Sequence, residues 1–392
     1  MKFLLSLSFL LMILSCKKSL DLQPTFYDCS PVPADSSSRN PNNTKYQALL
    51  NDMTSKGVVG IMMSVHDSKH GMWVGSSGMA DLHNNIAMKS CNITRAGSII
   101  KMYVAVTLLK LQEEGKLDLD DKVTDHLNDE ILSKIKNTDK STIRQLLQHS
   151  SGIYNYILNP QFQTASLNNL IKEWQAPDLL FYAKNMEPYF QPGEDVHYSN
   201  TGYIILGMLI EKIENKPLYQ VLDEKIFTPL HQSKSFFAAK DKVPSGIVRG
   251  YVDFYSTLEV TESTYYSGWD YFTADGGLIS NPYDMNVFIR TLMASKIINT
   301  ASLQEMLQWK RPREQDETLF ETEYGLGIFR ILTSKGVAYI HSGDAIGYYN
   351  TMLYFPSDGT TIIYSVNSNY GKIDQLISSK EAMEKIITTI KE

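Results

Sequence analysis

The stretch AGSIIKMYVAVTLLK, residues 96–110, is an apolar run with one interior charge, Lys101, three residues after Ser98. Val104, Ala105, Val106, Leu108, Leu109 and Leu111 cover more of a helix than a solvated one can hide, and Gly115 supplies a stop. The spacing therefore predicts a helix that is buried on most sides. A cation in its first turn faces the positive end of the helix dipole, and an ammonium taken out of water needs an acceptor or a lowered pKa. Any fold for this chain must surround the helix with core and give Lys101 a partner.

The chain has the material for that core, with 392 residues of which 43 % are hydrophobic. This suits one large domain or two interleaved subdomains. A net charge of −6 without basic blocks excludes a nucleic-acid partner as a class. The opening segment MKFLLSLSFLLMILSC has a basic start at Lys2 and an apolar centre too short to span a bilayer, so residues 1–15 read as a secretion signal. It resembles a bacterial lipoprotein signal. That implies lipidation of Cys16, with the chain held by a lipid anchor in the cell envelope, facing the periplasm or the exterior. Residues 16–43, rich in Pro, Ser and Asn, read as a flexible tether. Cys29 and Cys91 are then the cysteines left to the folded part, and both a disulfide and two separate thiols stay open.

A short helix at 45–55 precedes two β-type runs, GVVGIMMSVHD and HGMWVGSSGMA. From about Leu117 to Leu230 the pattern is helical, without a strand pair. Strands return at GVAYIHSG, YYNTMLYFP and TTIIYSVNS, and a helix from about Asp374 to Ile390 closes the chain. The expected class is α/β (α+β). One sheet is built from both ends of the chain, about 44–116 and 285–392, with a helical lobe over about 117–284. A cleft between such lobes is the default place for a site.

Three short motifs carry candidate chemistry. Ser98 and Lys101 stand three apart on one helix face, which brings an amine to a hydroxyl that is otherwise a weak nucleophile. The bland alternative is a serine cap and a lysine snorkelling to water. Tyr198-Ser199-Asn200 falls at a loop-to-helix junction, where a cap with a hydrophobic staple would serve equally. His341-Ser342-Gly343 ends a strand, with small residues along which an extended ligand can lie, or with a merely structural histidine.

In this order, Ser-x-x-Lys, Tyr-x-Asn and His-x-Gly resemble the penicillin-recognising serine hydrolases, in the branch of class C β-lactamases, D-alanyl-D-alanine carboxypeptidases and related esterases. The resemblance covers about residues 45–390 and extends to LLQHSSGI, DGGLISNPYDM and YGLGIF. It implies a β-lactamase/transpeptidase-like fold, with an antiparallel sheet flanked by helices and an all-helical lobe. It also implies an acyl-enzyme on Ser98, Lys101 as base or proton relay, and Tyr198 as second base and proton donor to the leaving group. Asn200 would position a substrate amide, His341 would hold the Tyr198 proton network, and Ser342, Gly343 and Asp344 would border the substrate. The backbone N–H groups of Ser98 and Asp344 would form the oxyanion hole. Lys101 and His341 are expected to lower the Tyr198 pKa from near 10. A histidine where class C β-lactamases carry a lysine points toward the carboxypeptidase and esterase members. Asp344 needs to face away from a developing oxyanion.

Other hydrolase types lack their signatures. Gly75–Gly78, GSSG, is one residue short of a nucleophile elbow, and His66 and His70 give no His-Glu-x-x-His set, so neither metal nor cofactor is expected. The expected protein is a monomer acting on a small-molecule or peptide substrate: a D-amino-acid peptide, a β-lactam or an ester. The rival from another class is a non-catalytic envelope lipoprotein that binds a peptide or cell-wall fragment.

Overall fold

The computed structural model describes residues 24–25, 29, 37–238, 243–253, 259–266, 268, 270–316, 318–369 and 379–392. The signal segment and Cys16 lie outside these residues.

Helix α1 (Asn43–Ser55) is followed by strands β1 (Gly60–Asp67), β2 (Gly71–Asp81), β3 (Ile86–Ala87) and β4 (Thr94–Gly97), then by helix α2 (Ile100–Glu113). After a largely helical stretch that ends with helix α3 (Asn200–Glu214) and two shorter helical turns come four short strands. These are β5 (Phe236–Phe237), β6 (Tyr251–Val252), β7 (Thr261–Glu262) and β8 (Leu278–Ser280). Helix α4 (Pro282–Met293) leads to β9 (Thr322–Tyr324), β10 (Phe329–Thr333), β11 (Gly336–Ala345), β12 (Tyr348–Phe355), β13 (Thr360–Val366) and β14 (Ser368–Asn369). Helix α5 (Ser379–Lys391) ends the chain.

The main sheet has the order β3-β2-β1-β13-β12-β11-β10-β9, antiparallel at every pair, so both ends of the chain share it. The central register pairs Ile61 with Val366. β13 is buried along its whole length because both faces are covered, as its unbroken apolar character requires. On one face α1 and α5 pack Leu50, Met53, Ile386 and Ile387 against Ile362 and Leu353. The opposite side belongs to a larger core centred on α2, of which every residue from Ile100 to Leu109 is buried. A fully buried Leu or Ile contributes roughly 1.5–3 kcal/mol, so the breadth of that apolar surface decides where α2 must lie.

Two expectations are corrected. The all-helical stretch is shorter than 117–284, because β5 to β8 lie between 236 and 280 and pair with β4 and β14 in two three-stranded sheets. Strands of two or three residues are too short to leave an alternating pattern. The expected tether is also partly docked. Thr25 is buried, its amide donating to Asp81 and its hydroxyl to the Ile247 carbonyl, and Ser37–Arg39 forms a 3₁₀ turn. Cys29 and Cys91 are joined by a disulfide, which decides between the two alternatives left open.

Candidate active site

Ser98 sits between the end of β4 and the start of α2. Neither Ser98 nor any other side chain caps that helix, so the capping alternative fails. Lys101 does not snorkel either, having 0 % exposure. Its Nζ donates to Ser98 Oγ at 2.9 Å and to the main-chain carbonyl of Asp275 at 2.5 Å, while Ser98 Oγ reaches the same carbonyl at 3.3 Å. The ammonium lies 5.1 Å from the Tyr198 ring centre and 5.5 Å from that of Tyr203. Burial brings the Lys101 pKa down to about 8, with Asp275 and then Asp270 pulling it back up. The expected lowering is present, and its main cause is desolvation.

Tyr198 reaches the same hydroxyl, and Ser98 hydrogen-bonds to it. Its pKa moves opposite to expectation. Burial pushes the phenol well above its usual value, which the Ser98 hydrogen bond only partly offsets. His341 brings no positive charge to lower it, since burial and then Lys101 push that imidazole down to about 3. Tyr198 is therefore a neutral phenol and Lys101 the group poised to change charge near neutral pH.

The 198–200 corner is held from the helical lobe. Ser199 N–H donates to His149 Nδ1 at 3.1 Å, Asn200 N–H donates to Asn155 Oδ1 at 3.2 Å, and the His149 ring stacks on Tyr198 at 4.4 Å. Ser199 makes no side-chain cap bond, which removes the capping alternative here too. The Asn200 side-chain oxygen, Oδ1, is buried without a hydrogen-bond partner.

On β11, His341 Nδ1 faces its neighbour's carbonyl, Ser342 O, at 2.7 Å and so carries the proton. Its Nε2 is an acceptor without a partner, and no hydrogen bond joins it to Tyr198. The pairing of β10 with β11 ends at Phe329↔Ile340, just before the His-Ser-Gly motif. Gly343 and Gly97 let β11 and β4 touch. A Cβ on Gly343 would fall 1.8 Å from Ala96 O and 3.0 Å from Ser98 N, and one on Gly97 would fall 2.9 Å from Asp344 N. Gly97 also has φ +54°. This contact brings the amides of Ser98 and Asp344 toward one another, and Asp344 is exposed while bordering the same cleft as Ser98.

Ser98, Tyr198, His341, Ser342 and Asp344 line a cleft of about 470 Å³ whose far wall is apolar, with Phe320, Phe329, Ile331, Ile340 and Met383. None of the described residues of the aromatic stretches 153–160 and 263–272 lines it. Tyr156 and Tyr271 are core, the latter 4.1 Å beneath the buried Arg95 guanidinium. Among the described residues no group of three or more His, Cys, Asp or Glu is arranged to hold a metal ion. Sequence reasoning missed His149, Tyr156 and Asp275 as parts of the site, although LLQHSSGI and DGGLISNPYDM carry two of them.

The family model Beta-lactamase matches residues 47–378, and the chain belongs to that family. It is 27 % identical over 302 residues to Penicillin-binding protein 4* of Bacillus subtilis (strain 168), covering 74 % of this chain and 64 % of that protein. To Protein flp of Staphylococcus aureus (strain NCTC 8325 / PS 47) it is 22 % identical, covering 75 % and 57 %. The match thus spans about three-fifths of the length of these relatives. Among solved structures, a D-stereospecific amidohydrolase from Streptomyces sp. superposes with TM-score 0.74 at 26 % identity, covering 87 % of this chain and 98 % of the other. The D-amino acid amidase from Ochrobactrum anthropi SV3 complexed with D-phenylalanine gives TM-score 0.78 at 23 % identity, covering 89 % and 98 %. The β-lactamase/transpeptidase-like fold expected from the sequence is the fold observed.

Proposed function

We propose that the protein is a serine hydrolase that cleaves amide bonds of D-amino acid derivatives or peptides through an acyl-Ser98 intermediate. The observation that carries this reading is Lys101, fully buried, with Nζ 2.9 Å from Ser98 Oγ. As the neutral amine, Lys101 takes the Ser98 proton and Oγ attacks the substrate carbonyl. The oxyanion is met by the amides of Ser98 and Asp344, each such donor commonly worth about 3 kcal/mol. Collapse breaks the C–N bond, and the leaving amine takes its proton from the Tyr198 phenol, which Lys101 resupplies. Lys101, neutral again, takes a proton from water as the water oxygen attacks the acyl carbonyl, and returns it to Ser98 Oγ as the acyl–oxygen bond breaks and the carboxylic acid leaves. His341, neutral and accepting at Nε2, receives a donor from the substrate, and Asn200 orients its amide. The Streptomyces and Ochrobactrum names favour D-configured amides, and the apolar wall favours a large apolar group. Ester cleavage by the same residues is the second reading, since the geometry does not depend on the leaving atom.

The protein without residues 1–28 is incubated with a fluorescent penicillin and, separately, a fluorophosphonate, beside Ser98→Ala, and intact masses are read. Adducts in the parent and none in Ser98→Ala are expected, with labelling rising through about pH 8 as Lys101 loses its proton. A folded parent that takes neither probe would move the reading to the non-catalytic binder. Amides of D- and L-phenylalanine then test the substrate class. The lipid anchor at Cys16 and the envelope location belong to the same proposal, supported by the lipoprotein-like signal. Radiolabelled palmitate incorporation, absent from Cys16→Ser, is the check. The monomeric state is measured by light scattering.

A further inference from the structure

Behind Lys101 lies a buried carboxylate that acyl transfer does not itself require. Asp275 has 0 % exposure and acts at two levels. Its main-chain carbonyl accepts from Lys101 Nζ and Ser98 Oγ. Its side chain accepts from the Tyr156 hydroxyl at 2.9 Å and from Thr273 Oγ1 at 2.5 Å. Tyr156 belongs to the helical lobe and Thr273 to the loop before β8, so the carboxylate is gripped from two directions. Burial pushes the Asp275 carboxyl above the usual carboxylate range, and Lys101 is the first influence that pulls it back toward the anion, ahead of the Thr273 and Tyr156 hydrogen bonds. The turn has no slack. A Cβ on Gly276 would lie 2.2 Å from the Asp270 carboxyl, and one on Gly277 would lie 2.4 Å from the Phe237 ring.

We propose that Asp275 is a positioning residue of the site: its carboxylate, gripped by Tyr156 and Thr273, is the counter-charge of Lys101 and fixes the carbonyl that aims Nζ at Ser98 Oγ. The aimed carbonyl and the gripped carboxylate stand on the geometry, whereas the kinetic consequence rests on the acyl-Ser98 reading. The groups acting on Lys101 are Asp275 and Asp270 from the loop before β8, the rings of Tyr198 and Tyr203, and the neutral His149 and His341. Asp344 acts on Asp270, which burial and then Asp275 push up to about 7. Desolvation lowers the Lys101 pKa and Asp275 is the largest opposing influence. Replacing its carboxylate by an amide of the same shape must therefore release the ammonium proton at lower pH.

The test is to titrate Lys101 directly, by NMR of the full folded domain labelled with 13Cε-lysine, the resonance being assigned by its loss in Lys101→Arg. The midpoint is expected to fall by about one pH unit in Asp275→Asn. A smaller fall is expected in Tyr156→Phe, which keeps the aspartate and deletes one of its donors. A midpoint that stays or rises in Asp275→Asn overturns the proposal, and if that variant does not fold, Tyr156→Phe decides by the same criterion. Fluorophosphonate labelling of Ser98 across pH gives the kinetic arm, with its limb expected to move down by the same amount. An NMR midpoint that moves beside a fixed labelling limb would keep the counter-charge and sink Lys101 as base. Normal labelling beside an unmoved midpoint would do the reverse.

Discussion

Lys101 and His341 are two bases with the same history, each stripped of water, and they end in different states. The lysine, with acids behind it, keeps a pKa of about 8 and can change charge near neutrality, while His341, without such a partner, falls to about 3 and stays neutral. The consequence for stability has a definite sign. The unfolded imidazole takes up a proton below its ordinary pKa of about 6.5 and the folded one does not, so His341 makes the fold lose stability as pH drops from about 6.5 toward 3. Relative to His341→Gln, the parent should lose about 3 kcal/mol between pH 7 and pH 4. Urea midpoints of both proteins at the two pH values measure it, and a difference that does not change with pH would rule it out. Ser98 and Lys101 were legible in the sequence because a lone charge inside an apolar helix is a local anomaly. Asp275 was not, since an acid before Gly-Gly reads as an ordinary turn until burial and Tyr156, a distant residue, are known. The direction of the Tyr198 shift was missed for the same reason: a sequence displays neighbours and hides desolvation.

At the scale of elements, the contact of β4 with β11 governs the reaction centre. Asn350 on β12 reinforces it by donating to the Arg95 carbonyl at 2.6 Å. Gly343→Ala would drive a methyl into main-chain atoms on β4, which cannot rotate aside. Separation of the two amides should slow Ser98 acylation by 100-fold or more, the scale of about one lost oxyanion donor, with a lower thermal midpoint. Gly115→Ala is the control. Its φ of +68° is strained by a side chain, yet a Cβ there meets no atom within 4 Å. It should lower stability by about 1 kcal/mol and leave the labelling rate alone. Equal labelling losses in both variants would argue against the close approach as the cause. The long strands and α2 were readable because each carries enough residues to express a period. The short strands β5 to β7 were not, because their pairing is set by β8, β6 and β14 rather than by their own residues.

At the scale of the whole molecule, the sharing of one sheet by both ends of the chain was legible from strand patterns at both ends with helices between, and the docking of the segment before α1 was not. Thr25 is held by two hydrogen bonds and Cys29 by one disulfide, all with remote partners, and no local pattern announces such contacts. The disulfide encloses a sequence separation of 62 residues, for which loop-closure entropy gives about 4 kcal/mol. Cys29→Ser combined with Cys91→Ser should lower the urea midpoint accordingly while Ser98 labelling stays within twofold. A midpoint equal to the parent's would show that the bond adds nothing to the fold. The sheet has a further consequence in time. Because Ile61 pairs with Val366, β1 has no permanent neighbour on its β13 side until almost the whole chain has left the ribosome. Folding of so non-local a sheet is slow, and its early strands spend that interval exposed. A chain wired in this way stays threadable during synthesis, which is the condition for crossing a membrane pore before it folds.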